Sequence, residues 1–113
     1  MKNNNLFDEL YKLYNVNGYT EDRVPDDRER KAISESFYYL LPLIFNEMTD
    51  RQRSVINLYY GYNQTQRDIA RTLRINQSNV SIHLKQATEV AMRYFNIIYK
   101  ATLWGLRYGK GEN

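Results

Sequence analysis

The sequence predicts an all-α chain of about five helices. Three observations carry that expectation. Apolar residues recur at helical spacing in most segments, two stretches have the capping-box form that opens a helix, and no Gly or Pro interrupts residues 77–104.

Taken in order, Leu6, Phe7, Leu10, Leu13 and Tyr14 fit a short first helix over about 6–14. NVNGYTEDRVPDD then gathers turn formers and charges and reads as a linker. Asp26 or Asp27 can cap a second helix carrying Ile33, Phe37, Leu40 and Leu41 on one face. Pro42 is expected to stop or kink that helix, or to open a new turn with Leu43, Ile44 and Phe45. Thr49-Asp-Arg-Gln52 has the capping-box form and predicts a helix over about 50–60, with Val55, Ile56 and Tyr59 inward and an end near Gly61. Thr65-Gln-Arg-Asp68 repeats the device and predicts a helix over about 66–73 that buries Ile69, Ala70 and Leu73. After Arg74-Ile75, Asn76 is placed to cap a long helix over about 77–103, and the tail GKGEN is expected to fray.

A chain of 113 residues is one domain, or a small domain with an added arm. With no Cys it has neither a disulfide framework nor a thiolate metal site, which suits a reducing cytoplasm. MKNNNLFDEL lacks the apolar run of a signal peptide, and FYYLLPLIF is far short of the ~20 residues a membrane span needs. The expectation is therefore a soluble, cytoplasmic protein with no membrane partner. Net charge is +3 but unevenly spread. Residues 1–48 hold six Lys/Arg against nine Asp/Glu, whereas residues 49–93 hold seven against three. The basic part suits a polyanion, although an ordinary solvated charge mix would look the same.

The two helices around Arg74 settle which reading to prefer. Two short helices joined by a three- or four-residue turn form the helix-turn-helix shape, whose second helix fits the major groove of DNA. Ile69, Ala70, Leu73, Ile75, Val80 and Leu84 make a small core that sets the angle between them. Outside it, on the first turns of the second helix, remain Gln77, Ser78, Asn79, Ser81, Ile82 and Lys85. Amides can donate and accept at an adenine edge, hydroxyls can bond base or phosphate, and Ile can cover a thymine methyl. The N–H groups at the helix start favour phosphate.

The stretch MTDRQRSVINLYYGYNQTQRDIARTLRINQSNVSIHLKQA, residues 48–87, resembles region 4 of bacterial sigma factors, which reads the −35 promoter element. It is also similar to the DNA-binding domain of LuxR-type regulators. TDRQRSVINLYY matches the family's leading helix, TQRDIARTL its positioning helix and INQSNVSIHLKQA its recognition helix. The resemblance implies base contacts by Gln77, Ser78, Asn79, Ser81, Ile82 and Lys85, and backbone contacts by Thr65, Gln66, Arg67 and Arg74. It implies a small bacterial or phage transcription regulator, with double-stranded DNA as partner and RNA polymerase or a second regulator subunit as a further one. Small phage late-gene activators with sigma-like helix-turn-helix regions are the nearest subtype.

The chain departs from the family in three ways. Arg74 stands in the turn where Gly is usual, at a cost on the order of 1 kcal/mol for a left-handed backbone. The recognition helix is less basic than usual. Residues 1–48 are too short and too acidic for the region that melts the −10 element. These fit a division into an acidic helical arm (1–48), a helix-turn-helix (49–87) and a C-terminal extension (88–113). The alternative function is a sigma-like interaction module that binds polymerase or another regulator without reading DNA.

Other features read as structural. His83 belongs to the inner side of its helix, FYYLL and NLYYGY to the core, and DDRERKAISE to an exposed face. Arg51 and Arg53 fit either phosphate contact or plain solvation. Leu84, Ala87, Ala91, Tyr94, Ile98 and Thr102 approximate a heptad stripe, which predicts either packing within the chain or a homodimer through the C-terminal helix. No metal-spaced cluster, Gly-rich phosphate loop or nucleophile elbow occurs, so neither a cofactor nor catalysis is expected.

Overall fold

The computed structural model describes residues 5–16 and 24–109, so most of the linker read from the sequence and the last four residues of the tail lie outside it. Five α-helices follow: α1 (Leu6–Val16), α2 (Asp27–Asn46), α3 (Asp50–Ile56), α4 (Gln66–Leu73) and α5 (Gln77–Tyr108), with a π-helical turn at Asn57–Gly61 after α3. Among the described residues there is no strand. The molecule is elongated, 56 × 27 × 21 Å, because α5 runs most of its length and every other helix leans on it.

Local chemistry starts each helix. Asp26, Thr49 and Thr65 all close reciprocal capping boxes, with Glu29, Gln52 and Asp68 respectively. Asn76 occupies the N-cap position of α5 with extended backbone, but its side chain makes no capping bond; its carbonyl alone accepts from Asn79 and Val80. Pro42 neither stops nor breaks α2, which continues to Asn46. Pro42 lies on the exposed side of α2, where the bond its missing N–H forgoes costs least, while Ile44 two residues on is buried in the core. The helix after Thr49 does end near Gly61, but its last turn widens: Tyr62 N–H bonds the Asn57 carbonyl, five residues back. Asn63, not Gly61, then takes the left-handed conformation, at φ 59°. Likewise α5 does not end at 103. Gly105 is accommodated and the helix runs to Tyr108.

One core joins all five helices. Leu6, Phe7, Leu10 and Tyr14 of α1 lie against Phe37 of α2 and Phe95 and Tyr99 of α5. Tyr14 stacks on Tyr99 with ring centroids 4.1 Å apart, and Phe7 meets Phe95 edge-on at 5.6 Å. Arg30 lies over the Tyr11 ring at 4.9 Å and bonds Asp8 at 2.8 Å, fastening α1 to α2. Towards the other end, Ile44, Met48, Val55, Ile56, Ile69, Val80 and Leu84 fill the space between α2, α3, α4 and α5.

Several expectations need correction. Glu29 is not on a solvated face; it is 4% exposed, and its carboxylate receives Arg107 from the far end of α5 at 2.9 Å. The tyrosine-rich pieces are only partly core, since Tyr38, Tyr39 and Tyr62 are exposed. Of the two readings of the heptad stripe, packing within the chain is the one seen: Leu84, Ala87, Ala91 and Ile98 are buried against the chain's own helices. Tyr60, half-buried in the π turn, has its phenol pushed up to about 12, by burial first and then by the Glu9 carboxylate and Tyr59.

Candidate nucleic-acid interface

The site begins with the geometry of one turn. α4 ends at Leu73, and Arg74 reverses the chain with φ 58° and ψ 48°, the left-handed region. Its N–H bonds the Arg71 carbonyl at 3.3 Å, and the Ile75 N–H bonds Ala70 at 3.0 Å. These bonds satisfy the last carbonyls of α4, and Asn76 is delivered in extended conformation to start α5.

The wedge beneath the turn is apolar. Ile69, Val80 and Leu84 are buried, and Ala70, Leu73 and Ile75 are half-buried against them. Their packing sets the tilt between α4 and α5. α3 braces the pair from behind: Gln52 bonds Gln86 at 3.3 Å, and Val55 and Ile56 lie in the same core. Arg53 is committed to this frame, donating to the Phe45 carbonyl at 2.8 Å and pairing with Asp50, whereas Arg51 is exposed.

Gln77, Ser78, Asn79, Ser81, Ile82 and Lys85 are all exposed. Ile82 is 52% exposed on a turn whose inner side is fully buried at Val80, so the first two turns of α5 present an outward edge of amides, hydroxyls and one apolar side chain. On α4, Thr65 and Arg67 are exposed, Gln66 is half-buried, and Arg74 is exposed in the turn. The Thr65 oxygen accepts from the Asp68 N–H at 3.1 Å, so this residue orients the start of α4 as well as lying at the surface. His83 faces inward, half-buried, with its Nδ1 enclosed.

The structure adds one cation to the set read from sequence. Arg71 follows Arg67 by four residues on α4, and its side chain is 70% exposed with only a 3.4 Å contact to Asp68. The helical spacing from Arg67 carried that signal. From Thr65 to Lys85 the surface holds Arg67, Arg71, Arg74 and Lys85 against Asp68, a basic rim around a polar uncharged edge. Among the described residues no group of three His, Asp or Glu side chains is placed to hold a metal ion, and no helix is long and apolar enough to cross a membrane.

Residues 44–90 match the family model described as Sigma-70, region 4, a span of less than half the chain that takes in the end of α2, all of α3 and α4 and the first part of α5. No curated protein and no solved structure matches the chain. Residues 44–90 are thus a sigma-70 region 4-like segment, a helix-turn-helix of the DNA-binding kind.

Proposed function

We propose that the chain is a sequence-specific transcription regulator that reads promoter DNA in the cytoplasm of a bacterium, as a host or phage protein. The first two turns of α5 enter the major groove, where Gln77, Ser78, Asn79, Ser81, Ile82 and Lys85 meet base edges. Thr65, Gln66, Arg67 and Arg74 hold the phosphate backbone, joined by Arg71, and the open N-terminal N–H groups of α5 add a favourable dipole. Residues 49–87 do the reading, while 1–48 and 88–113 form the body that carries them. RNA polymerase or a second regulator subunit is engaged through surfaces away from residues 77–85.

One observation carries this reading: the amide-and-hydroxyl edge of α5 is exposed as a set, over an apolar wedge that fixes its direction. Selection of bound sequences from a random duplex pool tests it. The expected result is a defined site whose affinity falls steeply between low and moderate salt.

A second reading is favoured by a specific feature. Between Gln77 and Met92, α5 carries a single cation, Lys85, against Glu89, a weak electrostatic hold for a reading helix. A sigma-like module that grips polymerase or another regulator without reading DNA would show no selected sequence and no salt-sensitive duplex binding, yet would still capture the protein partner.

A further inference from the structure

With the core assigned, α5 retains a second apolar row. Val90, Tyr94, Ile97, Ala101, Trp104 and Tyr108 alternate by four and three residues, the spacing of a coiled-coil seam. The C-terminal part of the row faces outward: Ile97 is 60% exposed, Trp104 53% and Tyr108 66%. α2 runs antiparallel beside it, since Glu29 meets Arg107 at one end while Leu43 and Glu47 share a groove with Tyr94 and Ile97 at the other. Leu43 is itself 62% exposed and Tyr39, one turn earlier, more so, which carries the apolar face from one helix to the next.

Size and charge identify the occupant. The exposed parts of Tyr39, Leu43, Ile97, Trp104 and Tyr108 come to on the order of 600 Å² per protomer, most of the ~800 Å² per partner of a standard interface. Glu47 lines the groove on the α2 side, and Arg93, exposed one turn before Ile97, borders the row on the α5 side. The face thus carries an acid on its α2 side and a base on its α5 side, the pairing of opposite charges that a self-complementary patch can use.

We propose that this face packs on the same face of a second copy, about a two-fold axis parallel to the helices. That symmetry lays α5 of one copy on α2 of the other and brings Arg93 of each to Glu47 of its mate. A two-fold axis across the helices would stack α5 on α5 and send the two 77–85 edges to opposite ends. The parallel axis puts both edges at the same end, where one duplex can meet them. The choice of axis rests on the DNA-reading function proposed above; the seam itself does not.

Sedimentation equilibrium of the full chain over a range of concentrations, without DNA, tests the seam. Trp104, the one tryptophan, reports burial through its emission. Expected are a dimer at micromolar concentration with a blue-shifted emission, and a monomeric Ile97→Glu variant whose helical circular dichroism is unchanged. Glu47→Arg and Arg93→Glu should each weaken association about tenfold, and the double variant should recover it. A 13.6 kDa monomer at every concentration, a dimer that survives Ile97→Glu, or a double variant no better than the singles would overturn the proposal. Loss of duplex binding with the dimer intact would strike the reading function and the argument for the axis drawn from it, and would leave the seam standing.

Discussion

The two ends of α5 are built on opposite principles. At its start, residues 77–85 offer mostly polar side chains to solvent, with Val80 and Leu84 buried and His83 half-buried beneath them. Near its end, Phe95 and Tyr99 are buried under rings from α1 and α2, and Ile98 and Leu103 are buried in the same core. One helix thus anchors in an aromatic core at one end and exposes a polar edge at the other. Under the proposed function the lesson is a separation of energies: stability lies away from the reading edge, which can then carry residues chosen for hydrogen bonding over helix propensity.

That separation is open to test, and the anchor should show the largest effect. Phe95 contacts Phe7, Tyr14, Phe37 and Tyr99 and is fully buried. Phe95→Ala should cost about 3–5 kcal/mol, read as a fall in the urea midpoint. If instead duplex binding fell with no loss of stability, the two ends would not be separate. Next is the Glu29–Arg107 pair, in which both side chains are less than a tenth exposed. Arg107→Leu removes a two-pronged ion pair from a buried carboxylate and should cost about 3 kcal/mol. A change under about 1 kcal/mol, the range of exposed pairs, would mean that the end of α5 is looser than its burial implies.

At the recognition end the same logic predicts changes in binding with little change in folding. Asn79→Ala should lower affinity for the selected site by about 1–3 kcal/mol and relax preference at one position. Arg67→Ala should weaken all duplexes alike and reduce the salt slope by about one. Both variants should keep the wild-type urea midpoint, because both side chains are exposed. Equal, sequence-blind losses from the two would count against base reading by Asn79.

How much of this was legible in the sequence divides along the same line. Caps are local, so the boxes at Thr49 and Thr65 could be read from four residues each, and the inward and outward faces of 77–85 followed from periodicity. What was not legible depends on distant partners. Glu29 looks like a solvated acid until Arg107, 78 residues away, folds onto it. Pro42 looks like a helix end until the fold places it on the exposed side of a helix held by Ile44 and Phe37 in the core. The heptad rule found a stripe on α5, yet 4-and-3 spacing cannot say which of two neighbouring rows α1 and α2 will cover. Arg71 belongs to the legible part, since it follows the exposed Arg67 by one helical turn on α4.

The smallest effect is expected at the turn that leads into α5, where two backbone terms nearly cancel. Arg74 holds φ 58°, a conformation that costs a residue with a side chain about 1 kcal/mol. Arg74→Gly removes that strain but frees the unfolded chain, a penalty of about 0.5–1 kcal/mol. The net change in stability should be a few tenths of a kcal/mol, at the edge of what a urea midpoint resolves. Binding should behave differently, since the same change deletes one exposed cation beside the start of α5. Affinity should fall for every duplex and the salt slope should drop by about one, with the order of preferred sequences preserved. If Arg74→Gly instead reorders those preferences, the turn is setting the tilt of the reading edge, and the apolar wedge alone does not fix it.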